Sequence, residues 1–255
     1  MARGDDPQYT ARVPADTVVI VADAHLGAHD PGGAEAFLRF LDAFPDLGRH
    51  LVVNGDLFDF WFEYRTVIPR RAFPALAALR RARDRGVAIT LTGGNHDRWG
   101  GAFWEGELGA TFLPRGGRVD LAGWRVYLHH GDGLAERHVA ARALHALTRW
   151  PPTSVAFRWL HPDLGLRLVH RLSGVLGHAT RDGPALERAA TAQAAWADQY
   201  LATHHDIDLV VLAHTHRAAV APAGPRRWYL NSGPWMYERC YALLTESGPR
   251  LRVFE

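Results

Sequence analysis

Five short stretches of the chain gather side chains that bind metal ions. They are Asp23 and His25 in ADAHLG, Asp56 and Asp59 in NGDLFDFW, Asn95, His96 and Asp97 in GGNHD, His129, His130 and Asp132 in VYLHHGDG, and His214 and His216 in VVLAHTHR. Each follows an apolar run, so a strand that reads as buried gives way at once to carboxylate, amide and imidazole. One such stretch is compatible with a solvated turn, where Gly, Asn and Asp are common. Five in one chain point elsewhere. Oxygen and imidazole donors without thiolate suit a divalent first-row ion, Mn²⁺ first, with Fe²⁺ and Zn²⁺ as alternatives. The donors exceed what one ion needs. The surplus fits two ions sharing a carboxylate, an arrangement that polarises a phosphoryl oxygen and acidifies a water for in-line attack.

Positioning these groups requires elements that end together. Strands are predicted at 17–22, 51–55 and 87–93, with an amphipathic helix over 34–44 and a second over 70–85, entered at Pro69 and closed by Gly86. Asp23, Asp56, Asn95 and His130 follow one another at spacings of 33 to 39 residues. Each spacing is about one strand–helix–strand unit, which predicts ends lying side by side at the carboxyl edge of one sheet. Short runs at 111–113, 118–121 and 124–130 predict a change to antiparallel pairing. Further strands are predicted at 208–214, 228–233, 239–245 and 250–254. The pattern implies a single α/β domain over 1–255, two sheets with helices outside.

Residues 134–205 interrupt the strand pattern and read as an inserted helical cap. Within 137–181 stand seven arginines (137, 142, 149, 158, 167, 171 and 181) against one acid, Asp163, with His138, His145, His161, His170 and His178 among them. Trp150, Phe157, Trp159, Leu164, Leu166 and Leu168 lie between the charges. Two readings stay open here. One is a helical hairpin packed on the core with a solvated basic face. The other is a greasy, basic surface suited to an anionic lipid or phosphorylated ligand.

The bulk composition narrows the field. The formal charge of +2 announces no nucleic-acid partner, and the 47% hydrophobic content of 255 residues supplies a sizeable core. A single cysteine, Cys240, excludes an internal disulfide and a cysteine metal cluster, which fits a reducing compartment. The N-terminal stretch has no apolar h-region, so a cytoplasmic protein is expected. Of the other histidines, His29 and His50 are expected on the surface or in loops, and His129 as a packed neighbour of His130. Asp97 and Asp132 are expected to support ligands by hydrogen bonds.

The order D-x-H, G-D, G-N-H-D, H-G-D, H-x-H resembles that of the calcineurin-like metallophosphoesterases. The resemblance implies an α/β/β/α sandwich and a dinuclear centre. By position it implies Asp23, His25, Asp56 and His216 at one metal site, and Asp56, Asn95, His130 and His214 at the other, with Asp56 bridging. It implies that His96 serves the leaving oxygen and that the Asp59 carboxylate orients His96. Ala213 stands where the family usually has Gly before H-x-H.

GDLFDFWFEY, followed by a cap carrying WLHPDLG, resembles a narrower group, the UDP-2,3-diacylglucosamine hydrolases of lipid A synthesis. That resemblance implies attack on a phosphorus of a UDP-lipid diphosphate, with UMP and a lipid sugar phosphate released. The cap would hold acyl chains, its arginines would meet phosphate, and peripheral contact with the inner face of an anionic membrane would follow. Asn95, Arg98, Trp61 and Trp99 are expected to contact substrate. Many members of the group carry Arg at the position of His96, and a branch carries His. Other classes remain: a phosphoprotein phosphatase, which would normally show an Asp-Arg-Gly turn after G-D; a nucleotide or cyclic-nucleotide phosphodiesterase; a nuclease; and a metal-free scaffold, which would have lost ligands. No obligate protein partner is implied.

Overall fold

The run VVIV forms β1 (Val18–Val21), and its alternation divides it between two cores. Val19 and Val21 face one, Val18 and Ile20 the other, and all four are buried. A strand apolar on both faces belongs in the interior of a layered fold. The computed structural model describes residues 16–28, 31–134, 139–177 and 183–255.

Helix α1 (Pro31–Asp42), β2 (His50–Asn54), α2 (Phe73–Asp84) and β3 (Ala88–Thr92) continue from β1, the three strands pairing in parallel. After α3 (Ala102–Gly106), β4 (Thr111–Leu113) also joins in parallel, so pairing does not turn antiparallel there as expected. The antiparallel hairpin comes next, from β5 (Gly117–Leu121) and β6 (Trp124–Leu128), and it opens a second sheet. Its two turn residues, Ala122 and Gly123, both have positive φ, the backbone that a tight hairpin turn demands. Four helices follow: α4 (Val139–Arg149), α5 (Pro151–Phe157), α6 (Pro162–Gly177) and α7 (Gly183–Thr203). The chain finishes with β7 (Leu209–Leu212), β8 (Ala219–Gly224), β9 (Arg227–Asn231), α8 (Trp235–Glu238), β10 (Cys240–Thr245) and β11 (Gly248–Val253).

The first sheet runs β11-β10-β1-β2-β3-β4 and the second β5-β6-β7-β9-β8. Val18, Ile20, Val126, Leu128, Val211 and Leu230 fill the space between them. Phe37, Phe40, Leu76 and Leu79 of α1 and α2 cover the outer face of the first sheet. Ala197 and Leu201 of α7 cover the outer face of the second, against Val210, Leu212 and Tyr229. The layers are therefore α/β/β/α, and α7 supplies the fourth. This corrects the reading of 134–205 as cap throughout, because 183–203 is a structural layer. Its inner face, Ala194, Trp196, Ala197, Tyr200 and Leu201, packs on that sheet, which a count of charges over the whole segment does not reveal.

The remaining cap helices dock through aromatic side chains. Phe157 at the end of α5 packs on Phe60, Phe62 and Trp99 with ring centroids 5.8, 4.6 and 5.2 Å away. Trp99 also donates from Nε1 to the Thr148 carbonyl of α4 at 2.8 Å. Arg137, His138, His178 and Arg181 lie outside the described residues, as does His29. His50 is not in a loop: it opens β2, half-buried, with Nε2 2.9 Å from Thr90 Oγ1. β8 went unread because its Ala-Val-Ala-Pro-Ala-Gly sequence is poor in strand formers; it survives as an edge strand, where proline is tolerated.

Candidate metal centre

The five ligand-bearing stretches converge, but from two sheets rather than one. β1, β2 and β3 belong to the first sheet, whereas β6 and β7 pair with each other in the second. The loops that follow are stitched together through the main chain: Asp23 N donates to the Gly55 carbonyl, His25 N to that of Asp56, and Ala213 N to that of His130. His214 N reaches across the sandwich to Asp23 Oδ2 at 3.2 Å.

Three clusters result: Asp23, His25 and His216; His25, Asp56 and His96; and Asp56, His130 and His214, each with donor atoms within 4.8 Å of one another. His216 Nε2 lies 3.4 Å from Asp23 Oδ1, His25 Nε2 3.7 Å from Asp56 Oδ2, and His130 Nε2 3.1 Å from the same Asp56 oxygen. Yet Asp23 Oδ1, His25 Nε2, His130 Nε2 and Asn95 Oδ1 are buried without a hydrogen-bond partner. Buried polar atoms are normally paired. Three of these atoms belong to the clusters, and orphaned oxygen and imidazole donors gathered there fit a pair of divalent cations. The first cluster brings together three residues expected at one site, without Asp56, and the third brings together three expected at the other. The middle cluster was not anticipated, since it brings His96 within reach of His25 and Asp56.

The backbone at these residues is unusual. Asp23, His25, Asp56, His214 and His216 all have left-handed φ, at 51°, 43°, 52°, 70° and 52°. Non-glycine residues seldom adopt it, and each costs about 1–3 kcal/mol. Such outliers gather where surrounding structure imposes them. Gly94 shows how close the loops come: a Cβ there would lie 2.2 Å from Asp56 Oδ1.

Support comes from a further ring of contacts. His130 donates from Nδ1 to the Asn54 carbonyl at 2.9 Å, which leaves Nε2 for the centre. The fully buried Asn54 side chain in turn donates to the His129 carbonyl and accepts from Thr92 Oγ1, both at 3.0 Å. Asp97 accepts from Gly94 N and Leu57 N, both at 2.7 Å, so it braces the loops. His129 accepts from Gly131 N at 2.8 Å and stacks on Tyr127. Asn54 escaped the sequence reading because it ends a strand without belonging to any recognised pair, although it directly precedes Gly55-Asp56.

His96 Nδ1 sits 2.5 Å from the main-chain carbonyl of Asp59, and His96 N donates to Asp56 Oδ1 at 2.9 Å. The contact expected from the Asp59 carboxylate is thus made by the Asp59 backbone. Arg98, 9% exposed, pairs with Asp132 at 2.6 Å, and Trp99 anchors the cap. Trp61 is not a substrate wall: it is fully buried, stacked on Phe58 and packed against Trp104. A tryptophan beside a motif reads alike whether it faces cleft or core.

Charge is divided unevenly among the ligands. Burial opposes ionisation of Asp23 and Asp56, but His216 and His130 outweigh it, and both carboxyls stay below their usual range. Burial drives His25 and His214 down to about 4, leaving them neutral. Burial also works against charge on His130, but Asp56 and Asp23 lift it to about 10; Asp23 likewise raises His216. For Asp97, burial and the neighbouring Asp56 push the carboxyl up to about 6.

A family model for the calcineurin-like phosphoesterases matches residues 17–218, which takes in every one of these ligands. The UDP-2,3-diacylglucosamine hydrolase of Porphyromonas gingivalis is 27% identical over 248 residues, 89% of this chain and 93% of that protein. Proteins of the same name from Pseudomonas aeruginosa and Azotobacter vinelandii are 31% and 32% identical over 209 residues, covering 81% and 80% of this chain and 84% and 83% of theirs. A centre built from two sheets, with orphaned oxygen and imidazole donors and a family match spanning all of them, identifies the chain as a calcineurin-like phosphoesterase, a metal-dependent hydrolase of phosphoric esters.

Proposed function

We propose that the chain hydrolyses the diphosphate of UDP-2,3-diacylglucosamine, releasing UMP and the acylated sugar 1-phosphate in lipid A synthesis. The names of the relatives support this reading. The observation that carries it is a cavity of about 610 Å³ between the 58–72 segment and α6. Its lining includes Leu26 and Gly27, which follow His25 in the chain, and Asp59, whose carbonyl holds His96. Leu26, Phe58, Phe60 and Leu166 give it apolar walls, and Arg70, Arg71 and Arg167 also line it. Acyl carbons there would be shielded from water at about 0.8 kcal/mol per CH₂, while guanidinium groups meet phosphate.

Asp23, His25, Asp56 and His216 would hold one divalent ion and Asp56, Asn95, His130 and His214 the second, with Mn²⁺ the first candidate. Bound there, such ions supply charge stabilisation to the phosphoryl oxygens and an acidified water. Asp59 fixes the His96 ring through Nδ1, so its other nitrogen is free to give a proton or hydrogen bond to the departing oxygen. Outside the cavity, Trp150, Trp159, Leu164 and Leu168 are exposed on the cap. Arg158 and Arg171 are exposed on the same cap, and exposed apolar and basic groups together suit peripheral contact with an anionic membrane. Among the described residues no helix is long and apolar enough to cross one.

The test is a hydrolysis panel with Mn²⁺: UDP-diacylglucosamine, cyclic dinucleotides, a phosphopeptide and single-stranded DNA. The diacylated substrate should be turned over best. Leu166→Glu should raise its KM about tenfold, equivalent to losing two buried methylenes, and spare a small phosphodiester. No preference for acylated over unacylated substrate would refute the lipid assignment in favour of a general nucleotide phosphodiesterase.

A further inference from the structure

We propose that Gln193, in α7, is a positioning residue of the metal centre, clamping together the loops that carry His130 and His214. Gln193 is 2% exposed, although its helix neighbours Thr191, Ala195, Asp198 and Gln199 face solvent. A buried amide is tolerated only when both its ends are hydrogen-bonded. Here both are. Nε2 donates to the Gly131 carbonyl at 3.1 Å, and Oε1 accepts from Thr215 Oγ1 at 3.4 Å.

The chain of contacts continues into the second sheet. Thr215 Oγ1 accepts from Asn231 Nδ2 at 3.1 Å, and Asn231 Oδ1 accepts from Gly233 N at 3.0 Å. Thr215 and Asn231 are as buried as Gln193. Asn231 ends β9, which pairs in parallel with β7, so it is a sixth polar strand end at the same edge. One helix and three strand ends are thereby joined beneath the ligands.

What the clamp holds is telling. Gly131 directly follows His130, and Thr215 separates His214 from His216. A Cβ at Gly131, whose φ is +109°, would lie 2.5 Å from Gln193 Nε2, so the glycine is required by backbone and amide alike. His214 and His216 hold left-handed backbone that residues other than glycine seldom adopt. The Thr215 hydroxyl between them is anchored from two sides. Gln193 therefore fixes one ligand loop through its main chain and the other through the Thr215 hydroxyl, the way residues behind metal ligands tune affinity. The inference concerns ion binding and holds whatever the substrate.

Metal-free full-length protein titrated with Mn²⁺ by calorimetry provides the test. Gln193→Leu and Thr215→Val, which keep volume but lose the hydrogen bonds, should weaken ion binding about 10–100-fold. Thr215→Ser, which keeps the hydroxyl, should bind as the parent does. Should Gln193→Leu not fold, the Thr215 pair alone decides. Parental affinity in the Leu and Val variants, however far their melting temperatures fall, would reduce Gln193 to a packing residue and overturn the proposal. A parent chain that takes up no ion overturns the ligand set and the clamp together.

Discussion

Arg149 of the cap donates from Nη2 to both the main-chain oxygen and the carboxylate of Asp132, at 2.8 and 2.9 Å, two residues beyond His130. The same carboxylate takes Arg98 at 2.6 Å and faces His145 Nδ1 at 3.6 Å. Asp132 thus receives one strand-end arginine and two cap residues, and the cap is wired to the ligand loop rather than merely resting on it.

Removing that carboxylate should be costly. Asp132→Ala leaves Arg98 as an uncompensated buried cation, and a loss of about 3–5 kcal/mol in denaturant unfolding is expected. The pH dependence follows from the direction of the shift. Burial opposes ionisation of Asp132, but Arg98 and His130 outweigh it and hold the folded carboxyl below its ordinary 3.8. Its stabilisation is therefore present above pH 3.8 and disappears as pH falls through the lower folded value. The gap between parent and Asp132→Asn should narrow only in strong acid. A gap that closes already near neutrality would show that another group is responsible.

Asp56 stands in two of the three clusters. Two ions per chain are expected, both touching Asp56, with Asp56→Ala abolishing turnover because two cations would then repel at short range. Metal analysis after dialysis checks this directly. One ion per parent chain would exclude the dinuclear arrangement.

For His96, substitution by Ala should lower kcat about 10²–10⁴-fold while leaving metal stoichiometry intact. The deficit should shrink for a p-nitrophenyl ester, whose leaving group needs no proton. Because His96 lies within ligand distance of His25 and Asp56, the competing outcome is specific: loss of an ion from the variant would make it a ligand.

Ion binding should expel protons. Burial opposes charge on His130, but Asp56 and Asp23 lift it to about 10, so near pH 7 the metal-free centre keeps a proton on a residue that must be neutral to bind. Affinity should rise with pH up to about 10, and calorimetry in buffers of different ionisation enthalpy should report proton release. In the metal-free protein the signs also follow. The raised His130 stabilises the fold fully below its unfolded 6.5, and that contribution is lost as pH climbs through 10. Binding with no buffer dependence at pH 7 would contradict the charge assignment.

The candidate ligands were legible because their chemistry is written in residue type and order, and five strand ends announce themselves by polar groups after apolar runs. Their meeting across two sheets was not, since nothing local tells β6 to pair with β7 instead of β3. Helix α7 looked like cap because its packing face mixes Ala194, Ala197 and Leu201 with Gln193, Trp196 and Tyr200, so no continuous apolar stripe marks it in the sequence. The Asp59–His96 contact runs through a carbonyl every residue possesses, so side-chain chemistry could not point to it. Gln193 and Asn231 carry no motif. Only their burial in a folded chain distinguishes them from ordinary surface amides.

The left-handed backbone at Asp23, His25, Asp56, His214 and His216 has an evolutionary corollary. Those five positions hold the candidate ligands in a backbone region that side chains seldom occupy, so selection for stability alone would drive them elsewhere. Glycine relieves the backbone outright, and asparagine tolerates it better than histidine does. A descendant of this chain freed from hydrolysis should therefore drift toward Gly or Asn at these positions, gaining stability as it lost metal. Directed selection for thermal resistance without an activity screen would reproduce that drift in the laboratory, and its first accepted substitutions would mark which ligand is held under the greatest strain.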